Sequence, residues 1–232
     1  MASPSHQLDV LYEDNHLLVV NKPAMLPTMG VAEGRPSLLT IAKQYIRKRY
    51  QKPGNVYLGI VSRLDAPVTG AVVIARTSKA ASRLSAALRD RQVEKTYMAA
   101  VSGVPEQLEA TLEHYLRKDE RHRRMHTTQE DTPQAQLARL RYRVCMSHQD
   151  VSLLEIQLET GRKHQIRVQL AKIGHPILGD RKYGSRADFS LGIALHAVTL
   201  KFTHPVRQEV LQFDVPLPVS WQQQRSVKSC LE

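Results

Sequence analysis

Cysteine is scarce in this chain: two in 232 residues, Cys145 and Cys230, neither with a close Cys or His partner at metal-ligand spacing. That excludes a disulfide framework and a structural zinc module, and makes a reducing compartment the expectation. Phe and Trp are nearly as few, three and one, so a sheet surface covered in stacking rings is poorly supported. No apolar run approaches the roughly 18 residues that a membrane span needs. The opening "MASPSHQLDV" has neither a charged start nor an apolar stretch, so it does not read as a secretory signal. The expected location is the cytoplasm. No GxGxxG follows a strand and no phosphate-binding P-loop is present, which removes the commonest nucleotide-cofactor folds.

Acidic residues are also in short supply. Asp and Glu number 22 against 33 Lys and Arg, a formal net charge of +11. Such an excess favours a polyanionic partner and says nothing about fold. It is concentrated: "KQYIRKRYQK" (43–52) carries five basic residues and no acid, and "RKDERHRRMH" (117–126) carries five basic residues, two acids and two histidines. Each alone reads as well as a solvated surface. Together, in so basic a chain, they favour contact with phosphates.

Short apolar and alternating runs dominate the pattern, which predicts strands over 16–22, 70–76, 95–103, 137–145, 151–159, 195–205 and 209–216. Helical signals are fewer. Ser37 can cap "LLTIAKQYIRKRY", whose cations crowd the C-terminal half where they suit the helix dipole. Ser78 can cap "KAASRLSAALRDRQ", with Ala81, Leu84 and Leu88 on one apolar stripe. A third helix starts after Thr160-Gly161, burying Ile166, Leu170 and Ile173, and stops at Gly174 and Pro176. The basic stretch 117–134 is expected to be a surface loop. The class is α+β, as a single domain over 1–232 with a core of about 8–216. The last residues read as a polar tail from about 219.

Three places carry chemistry. In "GIVSRLDAPVTG" (59–70), Arg63 and Asp65 project from one face of an extended chain while Leu64 turns into the core. Pro67 and Gly70 then shape a turn. For the tripeptide alone, a plain ion pair pinning a loop is the favoured reading. In "LETGRKHQIRVQLAKIGHPILGDRKYG" (158–184), Arg162, Lys163, His164, Gln165 and Arg167 crowd a strand-to-helix junction, where helix N–H groups and cationic side chains favour anions. His164, His175 and His196 lack helical metal-ligand spacing, so no metal is expected. In "VEKTYMAAVSG", Lys95 and Tyr97 share a face, and a core aromatic is a sufficient reading of the tyrosine alone.

These segments occur in an order of their own. "LYEDNHLLVVNKPAMLPT", "SRLDAPVTGAVVIARTSKAASRL", "RQVEKTYMAAVSG", "LETGRKHQIRVQLAKIGHPILGDRKYG" and "LHAVTLKFTHP" together resemble the successive signatures of the RluA-type pseudouridine synthases, over roughly residues 8–216. The resemblance implies a mixed, largely antiparallel sheet with a central catalytic cleft flanked by helices and loops. It implies isomerisation of uridine to pseudouridine in structured RNA, ribosomal or transfer, with no cofactor; a monomer is the default expectation. The family's essential aspartate matches Asp65, its active-site tyrosine Tyr97 and its basic partner to the aspartate Arg167. Arg63, Arg162 and His164 fall on the substrate-binding side of the same motifs.

The chain departs from the family at Ser62, where His is usual, at Ala66-Pro67-Val68-Thr69-Gly70 in place of Arg-x-Thr-Ser-Gly, and at Gln169, often His. The carboxylate, tyrosine and both motif arginines remain, so the departures bear on substrate choice more than on chemistry. Two rivals follow from the same residues: a catalytically inactive RNA-binding or ribosome-assembly protein of this fold, and a phosphodiesterase, against which the lack of a metal cluster counts.

Overall fold

The computed structural model describes residues 8–122 and 124–230; the first seven residues, Arg123 of the second basic cluster and the last two residues of the tail lie outside them. In chain order the first elements are β1 (Asp9–Glu13), β2 (Leu17–Lys22), α1 (Leu38–Arg49), β3 (Gly59–Ile60), β4 (Thr69–Ala75) and α2 (Ser78–Arg89). Then come β5 (Glu94–Ser102), β6 (Glu109–Asp119), β7 (Arg124–Thr128), β8 (Gln136–His148) and β9 (Val151–Leu158). The chain ends with α3 (Gln165–Lys172), a 3-10 turn over Arg181–Tyr183, β10 (Leu195–Thr203), β11 (Val210–Asp214), α4 (Val219–Gln223) and α5 (Arg225–Lys228). Two compact units result. One runs to Val93 and takes back Thr199–Val215; the other holds Glu94–Val198 and the chain from Pro216.

In the first unit β2 pairs antiparallel with β4, from Leu17↔Ala75 to Lys22↔Gly70, and β1 and β3 add to β2 and β4 respectively. All seven residues of β4 are buried, the signature of an apolar run covered on both faces. Leu17, Val19, Val73, Leu84 and Phe202 share its core. Ser37 caps α1 in a reciprocal box with Thr40. The cap of α2 is Thr77 rather than Ser78, because Thr77 holds the extended backbone and its hydroxyl accepts from Ala80 N–H. Glu13 ties the unit together by accepting from Tyr45, Tyr50 and Arg76.

In the second unit the order β5-β9-β8-β6-β7 is antiparallel throughout. The stretch expected as a basic surface loop is largely a hairpin, β6 into β7, with Asp119 accepting from His122 N–H at its tip. Alternation in "EATLEHYLRKD" carries the strand: Leu112 and Leu116 face inward while Glu109, Glu113 and Arg117 face out. On the outer side Arg139 of β8 meets Glu113 and Glu159, and Arg143 meets Glu155, so part of the positive charge is already balanced. The segment read as a polar tail instead packs: Trp221, Val227 and Cys230 are buried.

Helix α3 departs furthest from its expectation. It begins at Gln165, three residues later than the pattern suggested, because His164 sits in the left-handed region at φ 53°. Every residue from Gln165 to Leu170 is buried, not one apolar stripe. Most polar groups there are satisfied, although among the described residues the buried Gln169 Oε1 has no hydrogen-bond partner. Gln165 donates to Arg139 C=O, Gln169 donates to Leu112 and Ala138 C=O, and Arg167 forks onto Asp180 through Nε at 2.7 Å and Nη2 at 2.9 Å.

Removing one member of such a buried pair strands the other's charge. Asp180→Ala is therefore expected to lower the unfolding free energy by about 3–5 kcal/mol in urea titrations. The apolar double replacement Arg167→Met with Asp180→Leu should recover most of that loss. A single variant as stable as wild type would contradict this reading of the pair.

Candidate active site

Asp65 belongs to the first unit, and its neighbours along the chain are tied down on both sides. Thr28 Oγ1 donates to Leu64 C=O at 2.7 Å and accepts from Leu64 N–H at 3.2 Å. Both backbone groups of Leu64 are thereby satisfied by one hydroxyl, and its side chain is buried as the sequence suggested. On the other side, Lys22 Nζ donates to Ala66 C=O at 3.1 Å. The turn closes through Val68 N–H to Asp65 C=O at 3.1 Å. Gly70 then leaves it at φ 114°, a backbone region that side chains disfavour.

Lys22 is fully buried at the end of β2. Its other donors go to Pro23 C=O at 2.9 Å and Leu26 C=O at 2.8 Å, so three carbonyls match the three N–H groups of an ammonium. The loop it wraps in turn caps α1, since Leu38 N–H and Leu39 N–H donate to Pro27 and Thr28 C=O at 2.8 and 3.1 Å. Burial pushes the Lys22 ammonium down to about 7, and the negative charge of Asp65 works against that fall. Lys22 is therefore one cation of this unit coupled to Asp65. Arg63 is exposed and, among the described residues, makes no hydrogen bond or ion pair, so the pinning Arg63–Asp65 pair does not form.

The second unit holds the remaining predicted residues. Tyr97 is buried in β5, opposite Ile156 of β9. At the β9–α3 junction Gln165 Oε1 accepts from Arg162 N–H at 2.9 Å and Thr160 Oγ1 at 2.8 Å, while Arg139 N–H donates to Thr160 Oγ1 at 2.8 Å. This sewing presents the exposed Arg162, whose Nε donates to Leu137 C=O at 3.0 Å. His164 shares a 2.7 Å hydrogen bond with Tyr183 Oη, which also accepts from Met125 N–H at 3.0 Å. The Arg167 guanidinium lies 5.0 Å from the Tyr183 ring centre, a favourable cation–π distance. Arg167 is thus gripped in its plane by Asp180 and against its face by Tyr183.

Sequence reasoning missed Lys22, Thr28, Asp180 and Tyr183. For Lys22 a signal exists: a lysine closing the strand that opens with the apolar run 17–20, just before Pro23. Asp180 and Tyr183 lie in "GDRKYG", but nothing local to that string says they reach Arg167. The histidines weighed as metal ligands have other duties or other places; His175 Nδ1 lies 2.9 Å from Ser102 C=O. Among the described residues no three His, Cys, Asp or Glu side chains gather as a metal would require. No helix there is long and apolar enough to cross a membrane.

The coupling of Lys22 to Asp65 has a measurable sign. Asp65→Asn removes the charge that props up the ammonium, so the Lys22 titration, followed by NMR of labelled lysine side chains, should move below about 7. An unmoved titration would contradict the coupling.

Comparison with known proteins gives the chain's family. Residues 16–172 match the family model described as RNA pseudouridylate synthase. A Bacillus subtilis (strain 168) protein named as an uncharacterized RNA pseudouridine synthase is 34% identical over 215 residues, covering 91% of this chain and 69% of its own. The ribosomal large subunit pseudouridine synthase D of Vibrio cholerae is 36% identical over 227 residues, covering 91% and 68%. The solved structure titled Human RNA Pseudouridylate Synthase Domain Containing 4 superposes with a TM-score of 0.75 at 26% identity, covering 95% of this chain and 91% of that one. With the family's motifs, fold and relatives in agreement, the chain belongs to the RluA-type RNA pseudouridine synthases, isomerases that modify uridine within RNA.

Proposed function

We propose that Asp65 is the essential carboxylate of this synthase and that Tyr97 and Arg167 complete its catalytic set. The reaction imports and exports nothing: the N1–C1′ bond of uridine breaks, a C5–C1′ bond forms, C5 loses a proton and N1 gains one. It needs a carboxylate at the nucleoside and a group to move that proton, but no redox centre. A carboxylate with a reference pKa near 3.9 is ready at neutral pH as nucleophile or base. Tyr97 offers a ring to the extruded base and a hydroxyl to the proton. Arg167 orients the carboxylate. Arg63, Arg162 and His164 bind substrate around them, and the two compact units work as one catalytic domain.

The observation that carries this reading is the double anchoring of the Asp65 turn, through Thr28 on Leu64 and Lys22 on Ala66. An acid that only needed solvent would not need neighbours fixed so closely. The substrate we infer is ribosomal RNA, a reading supported by the name of the Vibrio cholerae relative. A uridine stacked in folded RNA must be flipped out at a cost of a few kcal/mol. Phosphate contacts from the basic clusters of α1 and the β6–β7 hairpin offset that cost, for a monomer acting in the cytoplasm.

The test is turnover with position-resolved mapping. Wild-type protein incubated with transcribed large-subunit ribosomal RNA should convert uridine at a defined position. Asp65→Asn should give no product while melting close to wild type. Product from that variant at the normal rate would end the assignment; RNA binding without product from wild type would favour the inactive reading.

A further inference from the structure

Lys95 is the second residue of β5 and is half-buried. Among the described residues its ammonium has no hydrogen bond and no ion pair, and burial pushes it down to about 8. The other buried cations are not left so. Lys22 has three carbonyls, and Arg167 has the Asp180 carboxylate. A largely desolvated cation without a partner is costly to keep, and a chain that wanted only packing could place Met or Leu there.

Its position says what it meets. Strand alternation puts Lys95 on the same face as Tyr97, about 7 Å along the strand. In the antiparallel register Tyr97 faces Ile156 and Thr96 faces Gln157, so Lys95 falls beside the last residue of β9. The chain leaving β9 there is "ETGRKH", with Arg162, Lys163 and His164. Lys95 therefore stands at the end of the unit where positive groups gather and beside the ring proposed to meet the base. Neither a neutral base edge nor water compensates a half-buried ammonium as an anion does.

We propose that Lys95 is a substrate-binding residue that grips a phosphodiester of the RNA at or beside the isomerised nucleotide. The assignment rests on the reading of Tyr97 as an active-site residue. Binding of the anion completes the partner set that the free protein leaves open, so the contact orients the nucleotide against Tyr97 as well as adding affinity.

The test measures affinity of the full chain for transcribed large-subunit ribosomal RNA over a salt series, for wild type, Lys95→Met and Lys95→Arg, with pseudouridine formation alongside. Lys95→Met should weaken binding on the order of tenfold, and the slope of log affinity against log salt should shrink by about 0.7–0.9, one phosphate contact. KM should rise more than kcat falls. Lys95→Arg should keep the wild-type slope. Unchanged affinity and slope in Lys95→Met, or weaker binding at an unchanged slope, overturns the proposal and leaves Lys95 a packing residue. Because Met suits a desolvated site, folding is not the obstacle; a melting curve checks it. If wild type makes pseudouridine and Asp65→Asn does not, either failure falls on Lys95 alone. If wild type makes none, the reading of the site falls first.

Discussion

A single hydroxyl and a single ammonium decide where the proposed catalytic carboxylate sits. Thr28 holds Leu64 by both its backbone groups, and Lys22 holds Ala66. Asp65 lies between two fixed peptide units, and its conformational freedom is spent before substrate arrives. Each neutral bond is worth on the order of 1 kcal/mol net, a modest sum in stability. Preorganisation is where they count: an error of an ångström at a reacting group can cost a hundredfold in rate. The same residues fix the loop that caps α1, so the helix, the loop and the turn form one rigid piece.

The second unit solves a related problem by other means. Helix α3 is buried from Gln165 to Leu170 yet carries Gln165, Arg167 and Gln169 there. Buried donors are costly unless their partners are fixed, and here strand carbonyls, a carboxylate and a tyrosine ring supply them for Gln165, Arg167 and Gln169 Nε2. This makes α3 a scaffold for an oriented guanidinium rather than an amphipathic lid. Lys95 breaks the pattern, a half-buried cation with no hydrogen bond or ion pair among the described residues. Within an enzyme that acts on a polyanion, an unfilled requirement of that kind points outward to substrate.

Much of the fold was legible because period-2 alternation and continuous apolar runs report burial directly. The strands around 16–22, 70–76, 95–103, 137–145 and 151–159 follow from them, and Ser37 was readable as a cap. The β6–β7 hairpin was not, because its charges masked an alternation that Leu112 and Leu116 carry. The late start of α3 escaped because His164 takes a left-handed conformation that propensity does not foresee. In the site, Asp65, Tyr97 and Arg167 were visible as members of motifs. Lys22, Thr28, Asp180 and Tyr183 were not, since their importance lies in contacts spanning 13 to 44 positions of sequence for the Arg167–Asp180, Thr28–Leu64 and Lys22–Ala66 bonds.

The central claim is that the Asp65 turn is held for catalysis, and Thr28→Val tests it most directly. Valine keeps the shape but can neither donate to Leu64 C=O nor accept from its N–H. The account predicts a stability loss of about 1–3 kcal/mol, RNA affinity close to wild type, and a kcat reduced at least tenfold. A folded Thr28→Val enzyme with wild-type kcat would contradict it.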